Sequence, residues 1–282
     1  MVIFFLFLFG VVIGSFLNVV SLRYDGEHFL LDPRMIGGRS HCPHCGKTLR
    51  WFELVPILSF LVQRGRCRHC KTRISIQYPV VEFISGIIFV LVPWRVAGFS
   101  AIGLAGWPFS ALWIFALLTL LTLSIIDMRT GIIPDELNIA LGVIAVLLGI
   151  FAAISGAGAS LLGTFSDLLR IEGSVWVGRM TGAIFGFAFF EFLVLVTRKK
   201  GIGMGDVKLA LPLGLLFGWP DILPVIGFAF ICGAIIGILL IFLKKKTMKA
   251  TLPFGPFLAF SSAFIFLFGL PAAEWYLHFI GM

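Results

Sequence analysis

The chain has 282 residues and a formal net charge of +8, yet only 13% of its residues are charged and 59% are hydrophobic. A soluble domain carries about 25% charged residues, so this composition excludes an ordinary soluble protein and indicates an integral membrane protein. The positive charge is concentrated in a few loops between apolar runs, which is typical of cytoplasmic loops and argues against nucleic-acid binding.

The first apolar run covers residues 2–22, which is long enough to cross the roughly 30 Å hydrocarbon core of a bilayer as a helix. No basic region precedes this run and no small-residue cleavage site closes it, so we expect a permanent span rather than a removed leader. The first arginines follow the run, which predicts that the N-terminus lies outside.

The segment 23–78 is the only sizeable polar insertion, and it contains two Cys-x-x-Cys pairs. The pairs are Cys42 with Cys45 and Cys67 with Cys70. Four thiolates at this spacing predict a closed structural zinc site. Ten of the 22 Lys and Arg residues lie between positions 23 and 73, so the insertion is predicted to be cytoplasmic.

Other interpretations of this insertion are less favoured. Disulfides seldom persist in a reducing cytosol, and no thioredoxin-like unit surrounds either pair. A catalytic zinc bound partly by His41, His44 or His69 would need an open site, whereas four cysteines fill the shell.

Cys232 lies in an apolar run and is predicted to be a core residue. The apolar stretch Trp51–Val62 within the insertion is too short to span the bilayer. It is predicted to lie at the membrane interface or to pack within the small cytoplasmic domain.

Seven further apolar runs follow the insertion. They cover residues 79–97, 108–126, 137–155, 177–197, 206–219, 222–243 and 254–280, and 206–219 is the shortest. We therefore predict an all-α polytopic membrane protein with about eight transmembrane helices and a small zinc-binding cytoplasmic insertion. Its predicted divisions are the first helix (1–22), the zinc domain (23–78) and a transmembrane core (79–282).

Eight crossings place residues 23–78, 127–136, 198–206 and 244–252 on the cytoplasmic side. Most of the Lys and Arg residues lie in three of these loops, 23–78, 198–206 and 244–252, in agreement with the positive-inside rule. The Gly- and Ser-containing segment 156–176 is then an external loop, with Arg179 at its edge. The opposite loops contain few basic residues.

Two acids lie at cytoplasmic ends of predicted spans. Asp127 closes the third span, and Asp206 opens the sixth within Gly203-Met-Gly205-Asp206. Ionisable groups at such places are costly and are candidates for function. Two adjacent carboxylates share a proton, so one can activate water while the other donates to a scissile carbonyl. The two glycines would let an extended substrate approach closely.

The same acids also have simpler interpretations. Asp206 could cap a helix, as could Asp135 after Pro134, and Asp127 could pair with Arg129. Intramembrane acids also serve ion-coupled transporters, although these favour acids at mid-span and repeated broken helices. A structural anchor whose zinc loop binds a cytoplasmic partner is a third class of function.

Six motifs in this order resemble those of the bifunctional prepilin leader peptidase/N-methyltransferase family. They are Gly14-Ser-Phe-x-Asn18, the two Cys-x-x-Cys pairs, Gln77-Tyr-Pro-x-Val-Glu82, Asp127 with Ile-Pro-Asp135, Gly203-x-Gly205-Asp206-x-Lys208 and Pro253-Phe-Gly255-Pro256. The resemblance implies an aspartyl protease of the class with a Gly-x-Gly-Asp motif. Its catalytic pair would be Asp127 and Asp206, with Asp135 the competitor for the first role.

The resemblance also implies the substrate and the second activity. Such an enzyme cuts a basic leader from type IV prepilins and pseudopilins after a glycine, at the cytoplasmic face of the bacterial inner membrane. It then methylates the new N-terminal residue with S-adenosylmethionine. The expected partners are these precursors and the lipid bilayer, with no nucleic acid. A monofunctional peptidase is the alternative, and no methyl-donor motif can be identified in the sequence.

Overall fold

The computed structural model describes residues 1–30, 32–33, 37–97, 106–155, 174–198, 201, 203–244 and 252–279. Within these residues the regular structure is helical, and the only β-type pairings are two isolated bridges beside the cysteines. The predicted all-α fold class is therefore confirmed.

Nine α-helices are present in the described residues. They are α1 (Val2–Arg23), α2 (Leu58–Val62), α3 (Gln77–Ala97), α4 (Gly106–Thr130), α5 (Asp135–Ser155), α6 (Val175–Thr197), α7 (Met204–Phe217), α8 (Ile222–Phe242) and α9 (Gly255–Phe279), with a 3-10 turn at Trp51–Glu53. Apart from the short α2, each helix coincides with one of the eight predicted spans.

Six of these helices are long and apolar enough to cross a membrane, namely α1, α3, α4, α5, α6 and α8. Helix α7 has only 14 residues, which is about 21 Å at 1.5 Å per residue. The apolar part of α9, Gly255–Gly269, is also shorter than a typical membrane span. The membrane-protein class is confirmed, and full crossing by α7 and α9 stays a prediction.

Parts of the predicted loops lie outside the described residues. These parts are 156–173 of the external loop, and the basic residues Lys199, Lys200, Lys245, Lys246 and Lys249 of two cytoplasmic loops. Arg179, which the sequence places at a loop edge, instead lies inside α6 and is buried.

The chain forms two compact units, Met1–Val92 and Pro93–Met282. In the first unit, α1 and α3 approach each other through small residues. A Cβ atom on Gly14 would collide with Ser85, and Asn18, further along α1, donates a hydrogen bond to the Tyr78 carbonyl at 3.2 Å. The two helices therefore run antiparallel, and small residues permit their close packing.

The short helix α7 lies at the centre of the second unit. It packs against α5 and α6 and also contacts α8 and α9. Eight of its 14 residues are buried. Its approach to α6 is backbone to backbone, because a Cβ atom on Gly182 would collide with Gly214. This packing holds the N-terminal end of α7, where Asp206 lies, inside the bundle.

Candidate active site and metal centre

Asp127 lies near the end of α4 and is buried, with 4% of its surface exposed. Its Oδ2 accepts a hydrogen bond from the backbone N–H of Gly255 at 3.0 Å. Gly255 is the first residue of α9, so the carboxylate satisfies one of the free N–H groups at that helix start. The α4 helix ends at Thr130. Gly131 follows it, and its left-handed backbone (φ +69°) and N–H bond to the Asp127 carbonyl close the last turn.

Asp206 is the third residue of α7 and is also buried. Its Oδ2 accepts a hydrogen bond from the N–H of Gly203 at 3.2 Å, and Gly203 is the residue immediately before the helix. This is the side-chain half of a capping box. Asp206 therefore does cap its helix, as one interpretation of the sequence expects.

Asp127 and Asp206 are 79 residues apart along the chain, yet they lie close enough for the charge of Asp127 to act on Asp206. Each carboxylate is held through its Oδ2 by one backbone N–H group. Among the described residues no hydrogen bond is recorded to either Oδ1, so one oxygen of each carboxylate is left for water or a peptide.

Glycines fit closely around this pair. A Cβ atom on Gly255 would lie 2.7 Å from Oδ2 of Asp127, and one on Gly205 would lie 3.1 Å from the Ile133 Cβ. Real Cβ contacts are rarely that short. Gly205 thus has a packing role against the loop that follows α4, in addition to the substrate access expected from the sequence.

Asp135, the competing acid, has different surroundings. It begins α5, its side chain is 62% exposed, and its Oδ2 lies 2.8 Å from the ammonium group of Lys208. An exposed, paired carboxylate in the first turn of a helix is a common stabilising arrangement. This ion pair was not predicted from the sequence, although Lys208 belongs to the Gly-x-Gly-Asp-x-Lys motif and signals a partner nearby.

The four cysteines of the insertion converge on one point. Their Sγ atoms all lie within 4.8 Å of one another, and those of Cys42 and Cys70 are 3.8 Å apart. A tetrahedral zinc with Zn–S bonds of about 2.3 Å separates its sulfurs by about 3.8 Å, so this geometry fits zinc. All four are free thiols. Neither His41, His44 nor His69 belongs to the cluster found in the described residues.

The two Cys-x-x-Cys turns repeat one backbone pattern. The N–H of Cys42 donates to the carbonyl five residues later at 3.0 Å, and the N–H of Cys67 does the same at 2.8 Å. Each turn also has a left-handed residue at the fifth position, Gly46 with φ +67° and Lys71 with φ +59°. Two equivalent turns that each contribute two sulfurs are typical of a structural zinc site.

A second group of polar residues lies in the first unit. Glu82 of α3 is buried, accepts the Ile57 N–H at 2.7 Å and is hydrogen-bonded to Ser15 of α1. No salt bridge to Glu82 is found within the described residues. Asn18 and Tyr78 adjoin it along the same helix pair. These residues belong to two of the six motifs, Gly14-Ser-Phe-x-Asn18 and Gln77-Tyr-Pro-x-Val-Glu82, whose meeting was not predicted from the sequence.

Two family models match the sequence. The Bacterial Peptidase A24 N-terminal domain matches residues 8–96, and the Type IV leader peptidase family matches residues 114–238. The first match corresponds closely to the first compact unit, and the second lies wholly within the second unit.

Several similar proteins share the name prepilin leader peptidase/N-methyltransferase. The protein of Burkholderia pseudomallei (strain 1026b) is 35% identical over 93% of this chain and 84% of the relative. That of Xanthomonas campestris pv. campestris is 32% identical over 97% and 93%, and that of Aeromonas hydrophila 33% over 96% and 92%. No solved structure matches.

Proposed function

Since the chain belongs to the prepilin leader peptidase/N-methyltransferase family, we propose that it cleaves the leader peptide from type IV prepilins and pseudopilins and methylates the residue so exposed. The observation that carries the peptidase half is the meeting of buried Asp127 and Asp206 in the second unit. Both residues fall within the segment that the Type IV leader peptidase family matches.

In this proposal Asp127 and Asp206 are the catalytic pair. In this proposal the two carboxylates share a proton, because ionising both of two interacting acids away from water is costly. The ionised member takes a proton from water, and the resulting hydroxide adds to the scissile carbonyl carbon. The protonated member gives its proton to the carbonyl oxygen. When the C–N bond of this gem-diol breaks, the leaving amine takes the proton held by the first carboxylate, and one gem-diol hydroxyl returns its proton to the second carboxylate, which restores the pair.

Backbone hydrogen bonds support this assignment of roles. The N–H groups of Gly255 and Gly203 hold one oxygen of each aspartate, so the pair is oriented before substrate arrives. Asp135 is occupied by Lys208 and exposed, which favours a structural role at the start of α5. The transporter alternative is less favoured because Asp127 and Asp206 lie at helix ends rather than at mid-span.

The membrane accounts for the choice of substrate. A prepilin has an apolar helix in the bilayer, so a site at the membrane edge meets the cleavage point where that helix emerges. Asp206 follows the basic residues Arg198, Lys199 and Lys200 in the sequence, and basic loops face the cytoplasm. Asp127 lies at the helix end that the eight predicted crossings put on the same side. We therefore place the chain in the bacterial inner membrane with its peptidase site on the cytoplasmic side.

The methyltransferase half uses S-adenosylmethionine, whose sulfonium supplies a methyl group to the new N-terminal amine. The first unit suits such ligands because Glu82 is a buried carboxylate, to which the described residues bring no ion-pair partner. The sulfonium is cationic, and so is the amine until it loses the proton that frees its lone pair. The neutral nitrogen then attacks the methyl carbon, the S–CH3 bond breaks and S-adenosylhomocysteine leaves. Zinc at Cys42, Cys45, Cys67 and Cys70 has a structural role in this proposal.

The test uses purified, detergent-solubilised protein and a prepilin precursor, with Asp127→Asn, Asp206→Asn and the matched control Asp135→Asn. Mass spectrometry follows loss of the leader and, with S-adenosylmethionine, gain of one methyl group. We expect each of the first two variants to lose activity by roughly 10⁴-fold or more. Asp135→Asn should keep most of the cleavage activity.

Other outcomes are equally informative when the variants melt like the wild type. Undiminished cleavage by Asp127→Asn would move the first catalytic role to Asp135. Cleavage without a methyl increment would identify a monofunctional peptidase. Failure of the folded wild type to cut any precursor would reject the proposed function.

A further inference from the structure

The zinc-binding insertion exposes a row of large apolar side chains, which we call the ridge. It consists of Trp51, Leu54, Leu58, Leu61 and Val62, whose exposed fractions range from 42% for Leu54 to 83% for Val62. In α2 the last three share one face, because residues three and four apart are neighbours on a helix. Soluble surfaces rarely expose so many large apolar residues together, so the ridge indicates a contact surface.

The surface around the ridge is strongly cationic. Arg50 and Arg64 stand at its two ends, and both are exposed. Between positions 39 and 73 the exposed cations are Arg39, Lys47, Arg50, Arg64, Arg66, Arg68, Lys71 and Arg73. The only acid in that range is Glu53, which is buried and accepts the Arg50 N–H at 2.8 Å. The partner of this surface must therefore be apolar and anionic.

The position of α2 along α3 identifies that partner. Ile57, immediately before α2, donates its N–H to Glu82 at 2.7 Å. Glu82 is five residues beyond the start of α3, which is about 8 Å along the helix axis. The sequence predicts that α3 begins where the insertion re-enters the bilayer. The start of α2 is therefore expected at the depth where interfacial helices insert, roughly 5–10 Å.

We propose that the ridge inserts into the cytoplasmic leaflet and that the arginines beside it bind anionic phospholipid headgroups. An exposed Trp51 suits this position, because tryptophan is enriched at membrane interfaces. Docking in this way holds the zinc-binding insertion flat on the membrane that α1 and α3 cross. The proposal does not depend on the peptidase or methyltransferase activity.

The first test replaces Val62 by the photoreactive residue benzoylphenylalanine in the full-length protein. The matched control places the same residue at Lys47, which is exposed but outside the ridge. Both proteins are embedded in nanodiscs of phosphatidylglycerol and phosphatidylcholine, irradiated and analysed by mass. We expect phospholipid adducts at position 62 and few at position 47, with unchanged zinc content in both proteins.

Two results would overturn the insertion. Equal lipid labelling at the two positions would show that the ridge has no special access to the bilayer. A cross-link from position 62 to another segment of this chain, or to an added prepilin, would identify a protein as the occupant instead.

The second test measures the headgroup preference. With wild-type arginines, the ratio of phosphatidylglycerol to phosphatidylcholine adducts at position 62 should exceed the ratio in the nanodisc. Each of Arg50→Gln and Arg64→Gln should lower that ratio by roughly fivefold, because one basic residue near an anionic surface contributes about that factor. A wild-type ratio equal to the bulk ratio, or no change in the variants, would refute the arginine role.

Discussion

Gly255 shows how little space surrounds one of the two aspartates. A Cβ atom at this position would lie 2.7 Å from Oδ2 of Asp127 and 3.1 Å from Cδ2 of Leu123. The N–H of the same glycine donates to that oxygen. If Gly255 were alanine, the Asp127 carboxylate would have to move away from the added methyl group. That movement would break the Gly255 N–H bond that orients the carboxylate.

We expect Gly255→Ala to lower kcat for leader cleavage by about 10²-fold, the cost of displacing a catalytic group by about 1 Å. The measurement is steady-state cleavage of a prepilin, together with the melting temperature. The control is Gly227→Ala in α8, where an added Cβ meets nothing within 4 Å. Equal activity of the two variants would show that Asp127 does not need this contact.

The sequence predicts part of this arrangement at the scale of single residues. Acids at the ends of apolar runs are rare enough to single out Asp127 and Asp206. The bond from Gly255 joins residues 128 positions apart, and a glycine in a membrane segment has too many possible roles to predict it. The Asp135–Lys208 ion pair was not predicted either, because its residues are 73 positions apart and one sequence does not show which distant side chains meet.

Helix α7 depends on a side chain from another helix at its C-terminal end. The Nη1 atom of Arg179 in α6 donates to the carbonyls of Leu215 at 2.7 Å and Leu216 at 3.5 Å, and to that of Ala145 in α5 at 3.0 Å. The last carbonyls of any helix lack partners within the helix. Arg179 supplies hydrogen-bond donors to these carbonyls inside the bundle, where water is scarce.

We expect Arg179→Gln to lower the free energy of unfolding by about 2–3 kcal/mol, since hydrogen bonds from charged groups contribute about 1.5–3 kcal/mol each. Thermal unfolding in detergent measures the effect. Arg179→Lys, which keeps the charge, should retain part of the stability. The control is Met180→Leu at the adjacent position, which is 50% exposed. A melting curve of Arg179→Gln that matches the control would refute the capping role.

At the scale of elements, apolar length was a sufficient guide to where the long helices lie, because the thickness of the bilayer sets the length of each run. It also located α7, the shortest run. It could not assign Arg179, because a basic residue near a run's end normally indicates a loop. Here the carbonyls at the end of α7 make a buried arginine favourable.

The zinc centre allows a prediction at the scale of the whole molecule, because it lies in one compact unit and the aspartates lie in the other. We expect Cys42→Ser and Cys67→Ser to lose bound zinc and to become sensitive to protease between residues 24 and 76. A structural zinc contributes about 10–16 kcal/mol to folding of its module. Metal analysis and limited proteolysis measure the two effects.

Cys232→Ala is the matched control, since Cys232 lies in α8 and outside the cluster. It should keep its zinc and its resistance to protease. Retention of zinc by either serine variant would contradict a centre that needs all four sulfurs.

Composition alone predicts the class of the whole molecule, because so few charged residues cannot cover a soluble surface. The division into compact units is less accessible from sequence. Polarity marks where the insertion begins and ends, whereas the unit also includes α1 and most of α3. Their association rests on close contacts such as Gly14 with Ser85, and one sequence does not reveal which glycines approach which partner.

The length of α7 has a consequence for the lipid around the proposed peptidase site. One side of this helix is exposed at Met204, Lys208 and Leu211, and a helix of about 21 Å is mismatched to a hydrocarbon core of about 30 Å. Lipid beside a short apolar surface thins to match it, at a modest energy for each ångström. Thinning would bring water closer to Asp206. An extended peptide has backbone N–H and C=O groups without partners, which is costly in the bilayer core. Water near Asp206 would lower that cost for a prepilin that enters there.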